Sequence, residues 1–186
     1  MIMVPDQTVI YQTRNWIRDV VVGCNFCPFA ARELHRGSIH YQVVRSTAVQ
    51  TCLEAMVAEC RRLDDHPDIE TTLIILPESF ADFTDFLELA DLAEALLPEI
   101  HYEGIYQVAS FHPQYLFADS EEEDPANYTN RSPYPMLHLL REAALEKVLE
   151  HYPDPENIPE RNMAYARQRG LAHMELLLAA CLSGPS

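Results

Sequence analysis

A chain of 186 residues with 48% hydrophobic residues has the length of one domain, 1–186, and enough apolar surface for a core of its own. Its formal net charge of −16 at pH 7 opposes nonspecific binding to nucleic acid and to anionic membranes, while still allowing a small anionic ligand in a cleft of locally different potential. Five cysteines, an odd number, stand at 24, 27, 52, 60 and 181; with no secretory signal at the MIMVPDQ start and no apolar run near the ~18 residues of a membrane span, they point to a reducing, cytoplasmic setting.

Val9, Thr13, Trp16, Val20 and Cys24 recur at helical period, which predicts a helix over 7–24, weakened at its end by Gly23 and Asn25. A short second helix is expected from Pro28 to Gly37, proline suiting the first helical position and glycine the end. Residues 39–45 alternate Ile39, Tyr41 and Val43 against His40 and Gln42 and read as a strand. Thr47, with Gln50 completing a capping box, starts a helix whose apolar side includes Cys52, Met56, Cys60 and Leu63, and HPD at 66–68 breaks it. TTLIILP, 71–77, has the continuous apolar run of a strand buried on both faces.

Phe83, Leu87, Ala90 and Leu97 form one stripe of a helix over about 80–97 that Pro98 stops, and Gly104–His112 reads as a third strand. Asp119, Glu121, Glu122, Glu123 and Asp124 make an acidic loop, read as solvated. Ser132 as cap and Pro133 in first place predict a helix to about Glu150, and a last helix follows over about 160–182. The order is therefore α-α-β-α-β-α-β-α-α. Strands separated by helix-bearing spans of about 25 residues imply βαβ crossovers. The expected fold is α/β: a small, mainly parallel three-stranded sheet (39–45, 71–77, 104–112) flanked by helices, with one antiparallel edge as the alternative.

In such a fold ligands bind at the carboxyl edge of the sheet, where following helices begin. Three stretches are expected there: Cys27 before the second helix, His112 at the end of the third strand, and Arg131 with Ser132 at the start of the 133–150 helix. A thiol at a helix start is stabilised as thiolate by free N–H groups and the helix dipole. Histidine supplies acid and base near neutral pH, and arginine beside a helix start holds carboxylate or phosphate. Tyr134, His138 and Arg141 lie on the same expected helix, within reach as further ligand-binding groups.

Each has a plainer reading: Cys27 packs, His112 bonds a turn, Ser132 caps and Arg131 pairs with the acidic loop. Cys24 and Cys27 form a C-x-x-C, but a helix precedes it where a thioredoxin-like site has a strand, and no second C-x-x-C or H-x₃-H follows.

NFCPFA (25–30), ASFHP (109–113), NYTNRSPYPML (127–137) with His138, Leu140, Arg141 and Glu142, and IPERN (158–162) resemble the bacterial family classed as domain of unknown function 1415. The resemblance spans nearly the whole chain and implies a bacterial, cytoplasmic, single-domain protein, with no catalytic role carried over. The family pattern has an aliphatic residue where this chain has Cys24, which leaves Cys27 as the thiol of interest.

Three functions are open from the sequence. The first is an enzyme acting on a small anionic metabolite, with Cys27 as nucleophile, His112 as acid/base and Arg131 with the 133–150 helix start holding the anion. The second is a metal site built from Cys27 and His112, with Asp119 or His138. The third is a non-catalytic module binding an anion or peptide. Cofactors and oligomeric state are unknown at this level.

Overall fold

The computed structural model describes residues 3–183. Its frame is a four-stranded sheet of β1 (Ile39–Val43), β2 (Thr71–Ile75), β3 (Tyr106–Phe111) and β4 (Met136–Arg141), in the order β1-β2-β4-β3. The three expected strands all form, and β1 runs parallel to β2. β4 lies antiparallel between β2 and β3, so the sheet is mixed rather than mainly parallel.

This fourth strand is the main correction to the sequence reading, because it occupies part of the segment where Ser132 and Pro133 predict a helix. Helix begins only at Glu142. MLHLLR is short and apolar on both sides, and the ladders of β2 and β3 offer its backbone groups partners on both edges; tertiary pairing overrides the local capping signal. Ser132 caps nothing: its Oγ donates to the carbonyl of Tyr134 at 2.6 Å.

Strand β2 is buried at all five positions, as its unbroken apolar run requires. On one face of the sheet lie α3 (Val49–Asp65) and α4 (Phe83–Glu99), whose Met56, Leu63, Phe86 and Leu89 pack with Ile74, Leu137 and Leu139. Ala48, not Thr47, precedes the first turn of α3, and it offers no side-chain cap. Asp82 does cap α4, accepting from the N–H groups of Thr84 and Asp85.

The other face is covered by α1 (Asp6–Trp16), α2 (Ala30–Arg36), α6 (Ile158–Arg169) and α7 (Leu171–Cys181), with Val9, Trp16, Val20 and Met174 in one cluster with Leu73, Ile75 and Met136. The remaining helix, α5, is Glu142–Leu149. The expected last helix is two, parted at Gly170 in a left-handed backbone conformation (φ +83°).

The first helix also departs from its expected form. After Trp16 the chain widens into a π-helical turn, Ile17–Val22, ended by Gly23. A Cβ at Gly23 would stand 2.2 Å from the carbonyl oxygen of Asp19, so only glycine lets the wide turn close there. Such turns recur at functional sites, and this one forms a wall of the cavity described next.

Candidate functional site

Between the sheet and the cover made by α1, the π turn and α2 lies a cavity of about 150 Å³. Its walls are largely apolar, Trp16, Ile17 and Val21 on one side and Leu73 and Leu140 on the sheet side. Four of the lining residues carry a polar group or sulfur, Cys27, Glu33, Thr71 and His138, in a surface that is otherwise almost wholly apolar. No lysine or arginine lines it.

His138 reaches the cavity because β4 is a strand: the period of two sends Met136, His138 and Leu140 to this face and Leu137 and Leu139 to the other. Its register neighbours are Leu73 on β2 and Ala109 on β3. The Thr71 hydroxyl donates to the carbonyl of Leu139 at 2.5 Å. Having given up its one proton, Thr71 Oγ1 can only accept in its 2.7 Å contact with His138 Nε2. Nε2 therefore carries the proton, and Nδ1 is left as an acceptor. Burial among apolar groups pulls the His138 pKa down to about 4, so the ring is neutral at pH 7.

Cys27 sits in the loop between the π turn and α2, which begins at Ala30 rather than at Pro28. The backbone N–H groups of Phe29 and Ala30 lie close enough to favour the thiolate, although the hydrogen bond that the Ala30 N–H makes is to the Cys27 carbonyl, at 3.4 Å. Burial nevertheless outweighs them and pushes the thiol pKa up, so the resting group is a thiol and not the stabilised thiolate that the sequence suggests. Asn25 holds the loop in a left-handed turn (φ +55°), and Asn162 Nδ2 of α6 donates to the Phe26 carbonyl at 2.6 Å, fixing the peptide that leads into Cys27.

Glu33 completes the polar rim. Its side chain is fully buried and ion-paired to Arg32 at 2.5 Å, and Ser38 Oγ donates to its second oxygen at 2.5 Å.

The expected trio does not assemble. His112 is fully buried, 5.1 Å between ring centroids from both Phe83 and Phe86, at the edge of α4. Its Nε2 donates to the Phe80 carbonyl at 2.8 Å and its Nδ1 accepts from the Gln114 N–H at 3.0 Å. Both nitrogens are occupied in one neutral tautomer, and burial lowers the pKa. The ring secures Phe80, which has a left-handed backbone (φ +56°) unusual for a bulky residue; it is not on the cavity wall.

Arg131 donates to the carbonyls of Tyr115 and Glu122, both at 3.1 Å, and lies 4.7 Å over the Tyr128 ring. It pins the acidic loop rather than standing at a helix start, since no helix starts there. Tyr134 donates to Gln12 Oε1. Arg141 points to the opposite face and donates to the carbonyls of Leu63 at 2.5 Å and Ile69 at 3.0 Å.

Of the residues picked from sequence, Cys27 and His138 thus meet at one cavity, while His112, Arg131, Ser132, Tyr134 and Arg141 are engaged in hydrogen bonds that hold the fold. Glu33 and Thr71 escaped notice. Thr71 had a signal, a polar residue opening a strand otherwise apolar; Glu33 had none beyond its place in a short helix.

The acidic loop is partly ordered by Asp124, which accepts from the Ala126 N–H and pairs with Arg167 at 2.8 Å. Among the described residues no group of three or more His, Cys, Asp or Glu side chains is placed to hold a metal ion, and Cys27 and His112 do not converge. All five cysteines are free thiols.

Fold and cavity together define a mixed α/β protein with a half-buried thiol and a histidine lining one apolar cavity. The chain belongs to the family described as protein of unknown function (DUF1415), whose model matches residues 8–176. No curated protein and no solved structure matches it. No helix among the described residues is long and apolar enough to cross a membrane.

Proposed function

We propose that this protein is an enzyme whose reaction takes place in the apolar cavity, with Cys27 as nucleophile and His138 as its proton acceptor. One observation carries the reading: residues far apart in sequence bring a thiol and an unprotonated ring nitrogen to the same small apolar space. In the reaction the thiol proton passes to Nδ1 of His138 while the sulfur attacks an electrophilic carbon. The nearby Phe29 and Ala30 N–H groups favour the negative charge that gathers on the sulfur.

The low basicity of His138 and the raised thiol pKa keep both groups neutral until substrate displaces water and aligns them. That pairing protects the thiol from adventitious reagents and restricts its chemistry to molecules that fit. Five free thiols and a strongly acidic chain suit a reducing, cytoplasmic setting without nucleic-acid or membrane partners.

Alkylation by iodoacetamide, followed residue by residue by mass spectrometry across pH 6–10, tests the pair. Cys27 is expected to react only above the ordinary thiol range, ~8.5, and more slowly by at least ~10-fold in His138→Gln. Fast reaction at pH 7, or an unchanged rate in folded His138→Gln, would remove His138 from the mechanism.

A further inference from the structure

The cavity also limits what can enter it. A volume of about 150 Å³ is that of the engineered apolar cavity known to take up benzene. The walls are hydrocarbon apart from the four groups named above, and a small concave site of this kind binds through apolar contact with a few fixed polar atoms.

An anion finds no partner there. No cationic side chain lines the space, and the Ala30 N–H is taken by the Cys27 carbonyl at 3.4 Å. Glu33 is the ion-paired carboxyl on the wall, with the sign that opposes an anion. Removing a carboxylate or phosphate from water without a counter-charge is among the most unfavourable transfers in protein chemistry.

A cation fares little better: Glu33 already has Arg32 and Ser38, and His138 offers a single neutral lone pair.

From this we infer that the molecule accepted in the cavity is an uncharged, mainly apolar carbonyl compound no larger than a singly substituted six-membered ring. The carbonyl requirement rests on the nucleophile reading above; the lack of charge and the size rest on the cavity alone. The step it implies balances without a further reactant. Cys27 sulfur bonds to the carbonyl carbon as the C=O π bond breaks, and the thiol proton travels through His138 Nδ1 to the carbonyl oxygen, giving a hemithioacetal from an aldehyde or a hemithioketal from a ketone.

Benzene, toluene, naphthalene, benzoate and carbonyl-¹³C benzaldehyde serve as probes with the full-length protein and with Cys27→Ala. Ligand-observed NMR and thermal shift report binding, and the ¹³C signal reports addition. Benzene and toluene are expected to bind both proteins, naphthalene neither, and benzoate at least ~100-fold more weakly than benzaldehyde. The benzaldehyde carbonyl signal is expected to move to that of a tetrahedral carbon in the native protein and to stay in place in Cys27→Ala.

Benzoate binding as tightly as benzaldehyde, naphthalene binding as well as toluene, or failure of every uncharged probe to bind would overturn the inference. Benzaldehyde bound equally by both proteins with no tetrahedral carbon would uphold the uncharged class and overturn the nucleophile role instead.

Discussion

His138 illustrates how one side chain's setting governs both chemistry and stability. Its ring is neutral because Thr71 fixes the tautomer and the cavity wall strips away water. A histidine whose folded pKa lies near 4 against an ordinary 6.5 binds fewer protons folded than unfolded between those two values. Stability contributed in this way is present above pH 6.5 and is lost as pH falls toward 4.

Burial lowers the pKa of His112 and His40 in the same direction, so they add to the slope without reversing it. Urea denaturation should find the native protein roughly 2 kcal/mol less stable at pH 5 than at pH 7.5 from His138 alone. In His138→Leu, which keeps the apolar packing, the pH dependence should shrink by about that amount. An unchanged slope would mean that the ring is not held neutral by burial.

The same logic separates His112 from a functional histidine. Both of its nitrogens are spent on backbone groups of two loops, whereas His138 keeps one free. Two buried histidines, each on or just after a central or edge strand, differ only in whether the neighbouring backbone uses up the lone pair.

At the scale of elements, the cavity exists because two segments depart from their local preference. The π turn at Ile17–Val22 widens the first helix where it faces the sheet. β4 takes the place of a helix and presents every second residue to the same space. Gly23 closes the π turn against the Asp19 carbonyl, and that contact is with backbone, which cannot swing aside as a side chain can.

Gly23→Ala should therefore destabilise the protein by about 2–4 kcal/mol in thermal or urea unfolding, with loss of toluene binding even where the fold survives. A helix reverting to ordinary α geometry, with stability unchanged and the cavity intact, would show the wide turn to be incidental.

For the whole molecule, charge is the dominant surface property. A formal −16 on 186 residues leaves many acidic groups without partners, since the ion pairs among the described residues involve few carboxylates. Self-repulsion disfavours the compact state and is screened by salt. The melting temperature should rise between 20 and 300 mM NaCl, and a fall would place the net electrostatics of the fold on the attractive side. Toluene binding in the cavity should be insensitive to salt, because the probe carries no charge.

Much of the architecture was legible from residues alone. Alternation at Ile39–Val43, the unbroken run at Thr71–Ile75 and the Cys52, Met56, Cys60 and Leu63 stripe of α3 are properties of period and composition, and they survive in the folded chain because burial enforces them. By contrast, α4 buries Phe86, Leu89 and Ala93 with Ala90 and Leu97 and leaves Leu87 of its expected stripe exposed.

The strand at Met136–Arg141 was not, since a six-residue apolar run after Ser-Pro satisfies helix and strand patterns alike, and only the ladders of β2 and β3, brought alongside by distant parts of the chain, decide between them. With that decision went the site. Whether a histidine looks into a cavity or into a loop depends on which face of a sheet it joins and on which carbonyls it finds there, and those are facts of packing that no local spacing contains.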